Sequence, residues 1–479
     1  MNYRMISHTL GKLLVFESGF LLLPAATAAI YGEWHALSAF LVTALACLLV
    51  GGLMSFKKPL NSSLYAKDGF VIVSLSWIVL SLFGAIPFVI SGAIANYLDA
   101  IFETVSGFTT TGASIIASVE DAPRAILMWR SFSNWIGGMG ILVFVMAFLR
   151  LGGGQNVHIM KAESPGPSVS KLVPKVRSTA LLLYTIYSVF TVTQMILLIT
   201  VGKLDLFSAV NLSFATAGTG GFGILNDSFA SYSPAVQIIT AVFLVLFSLN
   251  FGSYFLILRG RFKDAFTEEI RAFLVIVAVS VTLISLDLRG IYETFGEAFR
   301  HAFFNFASII STAGFMSSDF DLWPAFSKAI LITAMFIGAC AGSTGGGIKI
   351  SRILIMAKTM LRELSAAIKP RQIKKITIDA QAQPSHIVRS VFGYLICLII
   401  VFVSSVILVS LDGNDFATNF SAVAATIGNI GPGIAKVGPT QNFAFFSPVS
   451  KIVLIFDMLA GRLEFFPMLL LFCPQTWKK

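Results

Sequence analysis

The sequence predicts an all-α integral membrane fold: four pseudo-symmetric span–pore loop–span repeats around a central ion pore, with an extra helix pair at the N-terminus. Three observations predict it. The chain is 56% hydrophobic and only 12% charged, where a soluble protein carries roughly a quarter charged residues. A short, polar, glycine-bearing turn interrupts the apolar sequence four times. Apolar segments near the roughly 20 residues that a spanning helix needs flank each turn.

The four turns are FTTTGAS at 108–114, ATAGTGGFG at 215–223, STAGFM at 311–316 and TIGNIGPG at 426–433. Aligned on one glycine, their cores are Thr110, Thr111 and Gly112; Thr219, Gly220 and Gly221; Thr312, Ala313 and Gly314; and Asn429, Ile430 and Gly431. The aligned glycines are 109, 93 and 117 residues apart. Repetition at such spacing points to one object built four times on one chain. Glycine permits backbone angles that turn successive carbonyls the same way. Four such turns around an axis give a ring of oxygens able to replace the water shell of a cation.

The elements follow in order. Residues 1–60 form a two-helix domain, with spans at 13–31 and 36–56 joined by a Gly-Glu-Trp-His turn. No repeated turn follows, so this pair stands outside the repeats. Its first apolar run continues too far for a cleaved signal and reads as a retained span. Lys57, Lys58 and Lys67 mark a basic loop. Repeat 1 (61–160) has spans at 69–90 and 123–149, with Asp99 as the expected N-cap of a short helix between them. Repeat 2 (161–264) has spans at 180–201 and 234–258, with Asp205 opening its short helix. Repeat 3 (265–375) has a span at 272–286, a short helix starting near Glu293, and a second span from Trp323. Repeat 4 (376–479) has spans at 388–411 and 448–472, with Asp415 opening its short helix. An acid at each helix start suits the helix dipole, and C-termini aimed at the axis favour a cation there.

The formal charge is +10, which in a membrane protein means basic cytosolic loops and not nucleic acid. Arg150, Lys161, Lys171, Lys175 and Arg177 share one loop. Arg259, Arg261 and Lys263 share another, and 349–375 is the most basic segment. All lie opposite the glycine turns, which therefore enter from outside. The basic segments, Arg362, Lys369 and Arg371 among them, are the expected docking face for a cytosolic partner, or else set topology and touch anionic lipid. Cys47, Cys340, Cys397 and Cys473 are far apart, and the histidines are scattered. Neither a metal centre nor a disulfide framework is expected.

The second span of repeat 3 is broken by Gly342, Ser343, Thr344, Gly345, Gly346 and Gly347, followed by Lys349. Each glycine weakens a helix by roughly 1 kcal/mol against alanine, and irregular backbone at membrane depth belongs beside protein or a water-filled cavity. The segment is a candidate gate beneath the turns. Its glycine spacing imitates a Walker loop, but Ile348 occupies the lysine position and no soluble strand precedes it. Arg462 lies inside the last span, where charge is expensive and usually functional. It is a second candidate gate element; the structural alternatives are a pair with Glu464 or Asp457, or snorkelling to the cytosol.

Taken together, TTTGA, TGGF, TAGF, NIGPG, GSTGGGIK and GRLEFFP resemble the TrkH family of bacterial potassium-uptake pores over essentially the whole chain. The N-terminal pair separates it from the shorter KtrB relatives. The resemblance implies potassium as the transported ion, with no covalent cofactor. It implies a homodimer in the bacterial cytoplasmic membrane and a cytosolic TrkA-type nucleotide-binding regulatory subunit. It also implies that residues 342–349 form an intramembrane gating loop, with Arg462 near it.

The expected function is therefore a potassium-permeable pore subunit gated from the cytosol. The alternative is a proton- or sodium-coupled potassium symporter. Carriers usually place an ionisable group at the substrate site, and the four turn cores contain none. A membrane enzyme would need converging catalytic or metal-ligating side chains at one depth, and no such set stands out.

Overall fold

The computed structural model describes residues 1–57, 66–140, 176–371 and 375–477. Lys58, Arg150, Lys161, Lys171 and Lys175, with the side chain of Arg177, lie outside the described residues. Among those described, six helices are long and apolar enough to cross a membrane, or seven if one bent pair counts as a single span.

The N-terminal pair comprises Tyr3–Phe20 continuing into Leu22–Tyr31, then Trp34–Ser55 after a left-handed turn at Gly32. The helices cross where Gly11 meets Gly51. A Cβ built on either would fall within 2.7 Å of the other's carbonyl oxygen, so small residues set this approach as they do between membrane helices generally. The turn also serves the first repeat. Glu33 accepts from the amides of Arg124 (2.7 Å) and Ala125 (3.0 Å), capping the helix Arg124–Gly138 from outside its own segment.

Each repeat has a first span, a short helix and a second span. The first spans are Ala66–Gly84 with Ile86–Ile90, Val176–Thr200, Glu268–Asp287 and Ser385–Val409. The last exposes Ile396, Ile399, Ile400, Val403 and Ile407, an apolar face suited to lipid. The short helices are Tyr97–Phe108, Leu206–Ala217, Phe295–Ile310 and Phe416–Ile427. Asp205 and Asp415 are their N-caps as expected, and the third helix starts at Phe295, near Glu293 as expected, capped by Thr294 with Glu297 in its first turn. Asn96, not Asp99, caps the first helix. Asp99 instead accepts from Lys451 at 2.7 Å, tying the first short helix to the last repeat's second span.

The second spans depart most from expectation. The break predicted in repeat 3 separates Ala325–Ile337 from Ile350–Ile368. The continuous spans read at 234–258 and 448–472 are also broken. Pro234–Phe247 and Phe251–Leu258 meet at 89°, and Pro448–Arg462 is separated from Phe466–Phe472 by Glu464 and Phe465 at positive φ. In repeat 1 the helix ends at Gly138 with Gly140 left-handed, and residues 141–149 of the span read at 123–149 lie outside the described residues. The short hairpin Thr377–Ile378 with Gln381–Ala382 links repeats 3 and 4.

Candidate functional site

Each short helix ends in the same hydrogen-bonded cap. The amide of Thr111 donates to the Ser106 carbonyl (2.9 Å), Gly220 to Ala215 (2.8 Å), Ala313 to Ser308 (2.8 Å) and Ile430 to Ala425 (2.8 Å). A second bond, closing a shorter loop of backbone, joins Thr110 to Gly107, Thr219 to Thr216, Thr312 to Ile309 and Asn429 to Thr426. This is the Schellman pattern, whose penultimate residue must be left-handed. Accordingly Thr110, Thr219, Thr312 and Asn429 have φ of 54°, 52°, 63° and 54°. Three of the four are β-branched threonines, for which positive φ is a genuine outlier. Such strain is worth roughly 1–3 kcal/mol per residue and clusters at functional sites.

Two residues later the backbone is left-handed again, at Gly112 (82°), Gly221 (75°), Gly314 (79°) and Gly431 (96°), whereas the residue between is not. Alternating handedness turns successive carbonyls to one side. Around the ring the contacts are cyclic. A Cβ on Gly112 would lie 2.6 Å from the Gly220 oxygen; on Gly221, 2.0 Å from Ala313; on Gly314, 1.8 Å from Ile430; and on Gly431, 2.7 Å from Thr111. Each strand thus abuts the next in the order one, two, three, four and back to one. All four glycines line a single outward cavity of about 150 Å³. The twelve residues read from the turns are brought together as one ring.

The surroundings fix this ring by side chains as well as caps. Asn429 donates to the Thr111 hydroxyl (3.0 Å) and to the Met458 carbonyl (2.9 Å), joining the fourth strand to the first. At the outer end of the fourth short helix, the hydroxyl and amide of Thr418 hold the Asp415 carboxyl below its ordinary range.

The segment 338–349 lies directly beneath. Gly346 N–H donates to the Thr312 hydroxyl at 2.6 Å. A Cβ on Gly345 would lie 2.7 Å from the Ser311 oxygen, and one on Gly346 would lie 2.6 Å from that of Gly428. Ser311 and Gly428 are the C-caps of the third and fourth short helices. Only glycine lets the loop press against both. The broken second span of repeat 2 receives the loop: Cys340 N–H donates to Ser248 (3.1 Å), Phe251 N–H to Gly342 (3.1 Å), and the Thr344 hydroxyl to Phe247 (3.2 Å). Buried Glu269 accepts from Ala341 (2.7 Å) and Ser351 (3.0 Å), holding both ends of the loop. Lys349, itself buried at positive φ, donates to the Gly345 carbonyl.

Arg462 joins the loop to the opposite side of the ring. Its guanidinium donates to Thr344 O (2.8 Å), Gly137 O (2.6 Å) and Gly138 O (2.8 Å). It therefore reaches carbonyls freed by the ends of two broken spans. Glu464 pairs with Arg352, and Asp457 accepts from the Ser405 hydroxyl. The eight residues read as gate elements form one contiguous layer with the ring above. Glu269 was missed because nothing near it in sequence signals its partners, which are 72 and 82 residues away.

Comparison with known proteins agrees with this architecture. Residues 36–479 match the TrkH family, described as cation transport proteins. The chain is 36% identical over 487 residues to the Trk system potassium uptake protein TrkH of Escherichia coli K12, with complete coverage of both chains. It is 30% identical to that organism's TrkG, covering 100% of this chain and 99% of the relative. The crystal structure of the potassium transporter TrkH from Vibrio parahaemolyticus superposes with a TM-score of 0.90, at 35% identity and full coverage of both chains.

Proposed function

The chain belongs to the TrkH family of cation transport proteins, and from that premise we propose that it is the potassium-permeable pore subunit of a Trk-type uptake system. The observation that carries the proposal is the closed ring of four strands, each glycine set against the next strand's carbonyl. In this reading the twelve residues of the ring are the selectivity filter. Their backbone oxygens replace the hydration shell of potassium, a role that does not depend on the side chains at 111, 220, 313 and 430. Repeat boundaries at 61, 161, 265 and 376 belong to the same reading, as does placement in a bacterial cytoplasmic membrane.

Residues 342–347, Lys349 and Arg462 act as the gate. The loop obstructs the path below the filter, and two cationic groups stand beside it. A dehydrated cation meeting a guanidinium in a low-dielectric setting is strongly repelled. Opening requires the loop to leave Thr312 and Arg462, a movement that a cytosolic nucleotide-binding subunit of the TrkA type drives through the basic helix Ile350–Ile368, which leads directly from the loop. The functional unit is a homodimer, each protomer having its own pore.

Rubidium tracer flux into liposomes, with sodium and pH gradients imposed separately, tests the proposal. Uptake should follow the rubidium gradient and membrane potential alone. Uptake that requires an inward sodium or proton gradient would instead make the protein a symporter.

A further inference from the structure

We propose that the buried ion pair Glu103–Arg130 is a positioning element that sets cation preference by clamping the outer ends of the first two filter strands. The proposal rests on the reading of the ring as a filter. It begins with an asymmetry among the repeats. Nine residues before the aligned glycine, the short helices carry Glu103, Leu212, Asn305 and Ala422. Three residues after that glycine come the amides of Ile115, Ile224, Ser317 and Ile434.

Three repeats hold this amide with their own short helix. Glu103 accepts from Ile115 at 2.8 Å, and Asn305 accepts from Ser317 at 3.1 Å. In repeat 4 the neighbouring Ser421 hydroxyl accepts from Ile434, also at 3.1 Å. Repeat 2 presents apolar Leu212 at the corresponding place. Its strand is held from the first repeat instead. Arg130 donates to the Gly223 carbonyl at 3.2 Å and lies 4.1 Å over the Phe222 ring.

The same guanidinium donates to Glu103 at 2.7 Å and to the Ser114 hydroxyl at 3.2 Å. Ser114 also donates to Glu103, at 3.0 Å. One arginine therefore spans both strands immediately beyond Gly112 and Gly221, using a planar fork of donors that lysine lacks. The side chains of the pair are 3% and 0% exposed. Their charges also compensate each other. Glu103 without Arg130 is an uncompensated carboxylate behind the mouth, which attracts cations indiscriminately. Arg130 without Glu103 is an uncompensated cation, which repels them.

This predicts a signature that loss of packing does not produce. In full-length protein reconstituted in liposomes, Arg130→Gln should lower the apparent KM for rubidium, and Glu103→Gln should raise it. Both should lower the rubidium-to-sodium flux ratio, by roughly fivefold or more for the loss of charged hydrogen bonds to the strands. Arg130→Lys keeps the charge and tests the fork if the glutamine variants fail to reach the membrane; it should keep the KM and still lose the ratio. Gly221→Ser serves as reference for the filter itself. Wild-type ratios in the arginine variants beside a degraded ratio in Gly221→Ser would overturn the clamp and leave the filter standing. KM shifts of the same sign in both glutamine variants would also overturn it. An unchanged ratio in Gly221→Ser as well would mean that the filter reading itself had failed.

Discussion

The amide of Gly346 donates a 2.6 Å hydrogen bond to the hydroxyl of Thr312, so the loop beneath the ring is fastened to a residue of the ring. Thr312 is left-handed at φ 63°, an arrangement that turns its short side chain toward the loop. Loop and ring thus share an atom pair, and the loop helps to hold one of the four strained strands.

Removing that acceptor should loosen the loop. Thr312→Val keeps the side chain's shape and leaves the buried Gly346 amide without this partner, at a cost of about 1–3 kcal/mol. Expressed as a shift of the closed-to-open ratio, this is about 5- to 150-fold. Rubidium flux through the protein reconstituted alone should rise within that range. Basal flux at the wild-type level would show that this bond does not contribute to closure.

The aligned glycines meet two demands at once, positive φ and a neighbouring carbonyl. Replacing Gly112, Gly221, Gly314 or Gly431 by serine should lower the potassium-to-sodium flux ratio in protein that still reaches the membrane. Gly314→Ser should be the most damaging, because its Cβ would meet the Ile430 oxygen at 1.8 Å. Unchanged ratios in all four variants would remove the filter assignment.

Arg462 and the loop should act on one barrier. Arg462→Ala takes a donor from the carbonyls of Thr344, Gly137 and Gly138, and in the proposed reading it removes a permanent cation from the path. Basal flux should rise. Deleting residues 345–347 should also raise it, and the combined change should give less than the product of the two effects, as for groups that share partners. Multiplicative effects would place two independent barriers along the pore.

The basic helix Ile350–Ile368 and its continuation carry Arg362, Lys369 and Arg371 at the protein surface, with Arg362 already paired to Glu363. Charge reversal at these three positions should weaken co-purification with a TrkA-type subunit at moderate salt. A complex that survives unchanged would assign these charges to topology and lipid contact alone.

The glycine turns were legible in the sequence because a polar, flexible segment inside an apolar chain has few other uses, and four copies reinforce one another. The break at 342–347 was legible for the same reason: a run of glycines does not make a helix interior. The breaks at 248–250 and 463–465 were not. At the first of these the bend is held by distant backbone: Ser248 and Phe247 accept from the repeat 3 loop. The left-handed threonines were equally hidden, since threonine is not a residue that signals positive φ. Asp99 looked like a cap by type and place, but its actual partner, Lys451, is 352 residues away. The role of Arg130 has no local signal, because Glu103, Ser114 and Gly223 come together around it only in the folded chain. Local chemistry was readable; the partners that give it a role were set by the closing of the ring.

If the four backbone strands form one potassium site on the axis of the ring, crystals of the protein grown in rubidium should reveal it by anomalous scattering at the rubidium edge. Discrete rubidium density is expected on the axis, within coordination distance of carbonyl oxygens from all four of the segments 110–112, 219–221, 312–314 and 429–431. Density confined to other parts of the molecule, or an empty axis in crystals that bind rubidium elsewhere, would contradict it.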